Sequence, residues 1–244
     1  MEWSPTHVVP AAAELLADAT VRIESDDGLL DAAIAVAIQI EPTTTEAEPV
    51  RERLEQLHDA IRRRTTSASP TAALAHLHGV LFDDLGFRGN SEEYDHRDNS
   101  NIQRVLETRR GLPIMLTLVY VLVARRLDLE AWGVGMPGHF LAGVRADQHR
   151  QLIDCFHRGR MLTEQDAYRL YQRIAGADAV WEKGFLEPVS HLEWVTRMIN
   201  NLRYQAHAAG DREGLRAHTE LLSILYPDDR ELADELSRMP SDLT

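Results

Sequence analysis

Two residues that can take part in proton transfer lie close together near the middle of the chain. His139 lies in GVGMPGHFLAGV and Asp154 lies in QLIDCF, and both segments have the short, partly β-like pattern of strands. An imidazole and a carboxylate on neighbouring strands can form a hydrogen-bonded pair in which the carboxylate orients the ring. We therefore expect the stretch from Asn99 to Asp154 to hold the functional site.

An apolar helix is expected just before these strands. From Pro113 to about Arg126 the residues are apolar almost all round, which is typical of a helix buried at the centre of a domain. Pro113 suits the first helical position because proline has no backbone N–H to leave unbonded there. The sequence thus predicts a central helix with a small antiparallel sheet packed on it.

A shorter helix is expected before the central one. Ser100 begins an S-x-x-Q capping box that predicts its start, and Gly111 predicts the residue that follows its end. Asn99 and Arg109 lie near its two ends, where a turn former and a cation near the helix C-terminus are expected. Because they also lie beside the expected cleft, Asn99, Arg109 and Pro113 are candidates for lining a binding site.

Helices flank this central region on both sides. Residues 11–40 carry two helical patterns, with Ser25, Asp26 and Asp27 as possible N-caps of the second, and the polar run TTSASPTA interrupts the helices that follow. From Glu187 onward, a helix, a short Gly-Asp turn and a second helix resemble a tetratricopeptide-type (TPR) pair. We expect three regions: N-terminal helices (1–85), a core (86–180) and C-terminal TPR-like helices (185–244).

Charge and hydropathy narrow the kinds of partner. The formal net charge of −13 means that a nucleic-acid backbone would repel the protein. The N-terminus lacks the basic segment of a signal peptide, and the longest apolar run, Leu112 to Ala124, is too short to cross a bilayer. We therefore expect a cytoplasmic protein with a protein or peptide partner, and no nucleic-acid or membrane partner.

Ligand spacing predicts no metal and no cofactor. His76 and His78 are two residues apart on a predicted helix, so their side chains point about 200° apart and cannot share an ion. Other histidines lack any ligand spacing: His58, His96, His149 and His157.

Three motifs follow one another in the central region. They are N-S-x-x-x-x-V-L-x-x-R-x-G-x-P-I from Asn99 to Ile114, P-G-H-F-L from Pro137 to Leu141, and I-D at Ile153 and Asp154. Together they resemble the SirB-type family of transglutaminase-like proteins, over roughly residues 25–230 and most strongly over 86–159. The resemblance implies an α+β, mostly helical fold, with a transglutaminase-like (papain-like) core between N-terminal helices and C-terminal TPR-like helices.

The resemblance also implies a chemistry. In an active site of this type, a cysteine at the start of the central helix attacks an amide carbon, a histidine shuttles the proton and an acid orients the histidine. His139 stands at the histidine position and Asp154 at the acid position. The cysteine position reads Pro113, which has no nucleophilic atom.

No other residue is an obvious replacement for the nucleophile. The only cysteine, Cys155, follows Asp154 on a predicted strand, so its side chain is expected on the opposite face in apolar packing. Ser100 is expected to cap a helix, and Thr117 lies one turn inside the buried helix. We therefore expect a non-catalytic peptide-binding, protein-binding or regulatory module in which His139 and Asp154 are a remnant catalytic pair.

Two alternatives remain open. An amide hydrolase or acyl transferase would use His139 and Asp154 with an unrecognised nucleophile close to the imidazole. A purely helical adaptor would bind its partner through the TPR-like helices and leave the cleft unused.

Overall fold

The computed structural model describes residues 7–65 and 69–239. The helices are α1 (Pro10–Val21), α2 (Asp26–Ile40), α3 (Ala47–Arg62), α4 (Pro70–His78), α5 (Ile102–Thr108), α6 (Pro113–Arg126), α7 (Glu164–Ala175), α8 (His191–Ala209), α9 (Arg212–Leu225) and α10 (Arg230–Arg238). The strands are β1 (Arg88–Gly89), β2 (Arg110–Gly111), β3 (Glu130–Val134), β4 (Leu141–Ala146), β5 (His149–Asp154) and β6 (Arg160–Leu162). The first residues of the N-terminus, 1–6, and residues 66–68 of the predicted break TTSASPTA lie outside the described residues.

The chain falls into two compact units. One consists of Met1–Ala47 with His191–Thr244, and the other of Glu48–Ser190. The division into 1–85, 86–180 and 185–244 remains a prediction.

The first unit is built from helices that pack in pairs. α1 packs on α2 and α8 packs on α9, while α1 also contacts α9 and α2 also contacts α8. Of the three candidate caps, Ser25 is the one that caps α2, with its hydroxyl accepting a hydrogen bond from the N–H of Gly28 at 3.0 Å. The C-terminal helices therefore have N-terminal helices as packing neighbours, which a single helical pair needs in order to bury its apolar side.

The second unit is centred on α6. Every residue from Pro113 to Ala124 is buried, as the apolar sequence predicts, and the helix packs on β3 and β4. The four longer strands form one antiparallel sheet in the order β3-β4-β5-β6, which places β6 at an edge beside α7. The protein is thus mostly helical with small sheets. Among the described helices, none has both the length and the apolar character needed to cross a membrane.

A second, very small sheet joins the segment before α5 to the segment before α6. β1 and β2 pair in parallel, with Arg88 opposite Arg110 and Gly89 opposite Gly111. The N–H of Gly89 also donates to the carbonyl of Phe156 at 2.8 Å, and a Cβ at position 89 would meet the Phe156 ring at 2.3 Å. Only glycine fits this position, so the Phe156 turn is held directly against β1.

The predicted boundaries of α5 are wrong at both ends. Asn101, rather than Ser100, caps the helix, because its side-chain oxygen accepts from the N–H groups of Gln103 at 2.9 Å and Arg104 at 3.3 Å. At the other end Arg109 adopts the left-handed conformation, with φ of 60°, so the helix has already ended when the chain reaches Gly111 in β2. An amide one residue past Ser100 provides the same capping chemistry, and it is Asn101 that faces the helix start.

Candidate functional site

His139 is held by a tight turn rather than by a strand. Its N–H donates to the carbonyl of Met136 at 3.0 Å, and the turn contains Pro137 followed by Gly138 with φ of 73°. Proline then glycine is the sequence that such a turn requires. His139 therefore lies two residues before β4, and the prediction that a strand carries it is wrong.

The His139 turn also has a close neighbour on α7. A Cβ at Gly138 would lie 2.4 Å from a methyl carbon of Ile174, far closer than two carbon atoms can approach. Glycine is thus required here both by the backbone angle and by the space. The contact places the last turn of α7 directly against the turn that presents His139.

Three side chains meet at the end of β5. His139 Nε2 lies 3.0 Å from Asp154 Oδ1, as the predicted pair requires, and His157 Nδ1 lies 2.7 Å from Asp154 Oδ2. The N–H of His157 also donates to Asp154 Oδ1 at 3.2 Å. Asp154 and His139 are buried, whereas His157 is exposed. One buried carboxylate therefore holds two imidazole rings.

The hydrogen bonds set the charge of the carboxylate. Burial acts to raise the pKa of Asp154, but the bonds from His139 and His157 outweigh it and hold that pKa well below its usual range. Asp154 is therefore an acceptor at neutral pH, and Nε2 of His139 carries the proton that it donates. Nδ1 is then the nitrogen of His139 that does not face Asp154.

His157 responds to the same contact in the opposite direction. Its bond with Asp154 raises the pKa of His157, while partial burial and the charges of Arg160 and Arg173 act to lower it. The carboxylate has the larger effect, so the ring favours the imidazolium form more than an isolated histidine does.

The start of α6 is closed and carries no nucleophile. Pro113 is the first residue of the helix and is buried. One turn further on, the hydroxyl of Thr117 lies 3.5 Å from the carbonyl of Phe140, next to His139. Residues four apart share a helix face, so the side of α6 that begins with Pro113 faces the segment that follows His139.

Cys155 does not offer a thiolate to this site. It is fully buried, and burial raises the pKa of its thiol far above the ordinary value, against a smaller opposing effect of a hydrogen bond with Thr117. A neutral buried thiol is a poor nucleophile.

Asn99 and Arg109 have structural contacts in the loop before α6. The buried amide of Asn99 donates to the carbonyls of Glu93 at 2.6 Å and Tyr94 at 3.0 Å, and its oxygen accepts from Asn90 at 3.0 Å. The guanidinium of Arg109 donates to the carbonyl of Leu85 at 3.1 Å. The predicted binding roles of Asn99, Arg109 and Pro113 remain predictions.

A cavity of about 190 Å³ opens on the His157 side of the cluster, between β6 and α7. Its polar lining consists of Asp154, His157, Arg160, Asp166, Arg169 and Arg173. His139, Asn99, Arg109 and Pro113 are not among the residues that line it. This cavity therefore lies beyond the His139–Asp154 pair, on the side of His157.

Within residues 7–65 and 69–239, two groups of side chains have the donor types of a metal site. Ligand atoms of His139, Asp154 and His157 lie within 4.8 Å of one another, as do those of Glu55, His58 and Asp59. In the first group both carboxylate oxygens already accept imidazole N–H groups, so an ion would have to displace these bonds. The second group is largely exposed, which is common for acidic residues with no ion.

Sequence reasoning missed His157 and the arginines of the cavity. His157 reaches Asp154 because residues 154–157 form a turn after β5, where positions three apart come together. The sequence D-x-x-H directly after a predicted strand is the signal that could have indicated this contact.

The comparisons with known proteins agree with this architecture at the level of the family. Residues 48–200 match the family model described as transglutaminase-like superfamily. Because this match covers more than half of the chain, the chain belongs to the transglutaminase-like superfamily.

Individual relatives cover part of the chain. A UPF0162 protein from Xylella fastidiosa (strain Temecula1) is 33% identical over 142 residues, which are 57% of this chain and 50% of that protein. A UPF0162 protein from Pseudomonas aeruginosa is 30% identical over 186 residues, 75% of this chain and 66% of that protein. F-box only protein 21 from Homo sapiens is 31% identical over 169 residues, 63% of this chain and 25% of that protein.

The chain spans about half the length of the two Xylella relatives, 50% and 47%. No solved structure matches the chain significantly.

Proposed function

We propose that this protein is a non-catalytic member of the superfamily that binds a peptide or protein partner. The observation that carries the proposal is Pro113, which begins α6 where the resemblance puts the nucleophilic cysteine. Covalent attack on an amide needs a nucleophile with a lone pair to share, and the proline ring offers none. The only cysteine, Cys155, is buried with a raised thiol pKa.

His139 and Asp154 then have a structural role in this proposal. Asp154 fixes two imidazole rings through one hydrogen bond each and also accepts from the backbone N–H of His157, and the cavity beside His157 supplies a place for a ligand group. The motifs from Asn99 to Asp154 support a SirB-type member, and the helical pair α8 and α9 supports TPR-like helices. The net charge of −13 supports a protein or peptide partner over a nucleic acid. The location that goes with this proposal is the cytoplasm.

An amide hydrolase or acyl transferase is the second candidate, because the His139–Asp154 pair is intact at 3.0 Å. A hydrogen-bonded pair of this kind is what proton transfer to and from a nucleophile requires. The two candidates make opposite predictions for turnover.

The direct test is an assay for release of ammonia and for incorporation of a primary amine, with glutamine-containing peptides as substrates. We expect the wild-type protein and His139→Ala to give the same background rate. A rate that is well above background in the wild type and is lost in His139→Ala would overturn the proposal. Cys155→Ala serves as a control, since it removes the chain's only thiol.

A second test restores the missing group. In a Cys155→Ala background, Pro113→Cys places a single thiol at the start of α6, where the helix dipole favours a thiolate. We expect its pKa, followed by the ultraviolet absorbance of the thiolate, to rise when His139 is also replaced by alanine. A thiol pKa that does not depend on His139 would show that Pro113 does not occupy the nucleophile position.

A further inference from the structure

We propose that the cavity between β6 and α7 binds an oxyanion, a carboxylate or phosphate group, through Arg160, Arg169 and Arg173. The inference rests on the proposed binding function, because it assigns a chemical class to the ligand group that enters the cavity beside His157.

The fold brings three guanidinium groups to one place from two elements. Arg160 begins β6 and lies opposite Asp154 in the ladder between β5 and β6. Arg169 and Arg173 are four residues apart on α7, so they share one face of the helix. All three side chains are exposed and line the same cavity.

The carboxylates of the cavity are already engaged. Asp154 accepts hydrogen bonds from His139 and His157. Asp166 accepts from the N–H of Thr163 at 3.1 Å and from its hydroxyl at 2.7 Å, as part of the capping box of α7. Asp166 also forms a long ion pair with Arg169, in which Nη1 of Arg169 lies 3.9 Å from Oδ1 of Asp166.

Arg160 and Arg173 lack a carboxylate partner within ion-pair distance among residues 7–65 and 69–239. The cavity thus contains three guanidinium groups and two committed carboxylates, in a chain whose overall charge is −13. Like charges that face one space repel each other, and an anion placed between them removes that repulsion. The charge around the cavity therefore favours binding of an anion, although the net charge of the whole protein is negative.

His157 supplies a fourth donor at the edge of the cavity. Its Nδ1 donates to Asp154, so in the imidazolium form Nε2–H is available as a second donor. The charges of Arg160 and Arg173 reach this ring strongly enough to act on its pKa. His157, Arg160 and Arg173 are therefore close enough to contact the same bound group in the cavity.

The same arrangement argues against a cation. A metal ion bound to Asp154 would have to displace the hydrogen bonds from both histidines, and it would meet the guanidinium groups of the same cavity. An arginine fork, by contrast, matches the two oxygens of a carboxylate or phosphate. The volume of about 190 Å³ suits such a group at the end of a ligand rather than a whole folded partner.

The experiment uses the whole chain and three probes at constant ionic strength: the α-amide of N-acetylglutamate, whose only charge is its side-chain carboxylate; its neutral analogue, the α-amide of N-acetylglutamine; and inorganic phosphate. Binding is followed by NMR of the arginine side-chain N–H groups. We expect saturable binding of at least one anion and binding of the N-acetylglutamine α-amide that is weaker by about tenfold or more, because the charge-assisted bonds are lost. Tighter binding of the N-acetylglutamate α-amide would identify a carboxylate as the ligand group, and tighter binding of inorganic phosphate would identify a phosphate group.

Variants locate the binding in the cavity. Arg160→Gln and Arg173→Gln, which lie on different elements, should each weaken anion binding by about tenfold. The matched control is Arg145→Gln, because Arg145 is exposed on the same sheet and forms its ion pair with Glu130 at 3.0 Å. If one variant does not fold, as judged by circular dichroism, the other still tests the site.

Three results would overturn the inference: no saturable binding of either anion, equal binding of the neutral analogue, or no loss in the folded variants. Its failure is separate from failure of the proposed function. Absence of anion binding together with absence of turnover removes only the oxyanion site. Anion binding together with turnover that depends on His139 removes only the non-catalytic proposal.

Discussion

Two histidine contacts in the same unit have opposite electrostatic outcomes. His78 Nε2 lies 3.0 Å from the hydroxyl of Tyr120, and His157 Nδ1 lies 2.7 Å from a carboxylate oxygen of Asp154. Burial lowers the pKa of His78 to about 4, against a smaller effect of Asp83, whereas the contact with Asp154 raises the pKa of His157.

The difference lies in the charge of the partner. A phenol is neutral and cannot offset the cost of bringing an imidazolium out of water, but a carboxylate can. The surroundings agree, because the His78 ring packs edge-on against Phe82 and Tyr120, with ring centres 5.3 and 5.6 Å away. The His78 contact is therefore part of the apolar packing, and the Asp154 contact is an ionic cluster beside an open cavity.

The largest expected effect is loss of the buried carboxylate. Asp154→Ala should lower the free energy of unfolding by about 3–5 kcal/mol, because it leaves the buried His139 ring without its partner and also removes the bond to the exposed His157 ring. Tyr120→Phe is the matched change at His78 and should cost only about 1 kcal/mol, since it removes one neutral hydrogen bond. Denaturant unfolding of both variants measures the two losses, and equal losses would contradict the contrast between the clusters.

The next largest effect is the loss of folding stability at low pH that protonation of His78 causes. The native pKa of about 4 lies below the ordinary 6.5, so the unfolded chain binds a proton that the native protein does not. Stability is lost as the pH falls from 6.5 towards 4, by up to about 3 kcal/mol.

His78→Gln keeps a donor near Nε2 and removes the titration. We expect the stability of this variant to fall less steeply over the same pH range, as measured by denaturant unfolding. A variant that follows the wild-type pH curve would show that His78 is not buried in the neutral form.

The smallest effect is expected at His157, with the opposite sign. A raised pKa stabilises the native protein below the ordinary value of 6.5, and this contribution disappears as the pH rises through the raised pKa. Because 55% of the side chain is exposed, solvent screens the pair and its contribution should stay below about 1 kcal/mol. His157→Asn should therefore destabilise the protein more at acidic than at basic pH, and a larger loss at basic pH would refute the assignment.

The sequence predicted the parts of the structure that depend on regular patterns. The apolar run after Pro113 predicted the buried helix α6, and the pairing of His139 with Asp154 followed from their place in the motifs. The first prediction rests on hydrophobic periodicity, which neighbouring turns do not alter, and the second on the order of the motifs along the chain.

The predictions failed where a local turn or the packing of two elements determines which side chains come into contact. Ser100 and Asn101 are adjacent and both are good helix caps, so composition does not choose between them. His157 reaches Asp154 through a turn, and Arg160 meets Arg169 and Arg173 only because α7 packs beside the edge strand β6. Spacing along the chain carries little information about contacts of this kind.

The contact between Ile174 and Gly138 links the cavity to the turn that presents His139. Arg173 and Ile174 are consecutive residues in the last turn of α7, so one lines the cavity while the other presses on the turn that presents His139. A displacement of Arg173 on ligand binding would therefore also shift Ile174, and with it the turn that presents His139. We expect the NMR signals of the His139 ring to shift when an anion fills the cavity. These signals would then report whether the cavity is occupied.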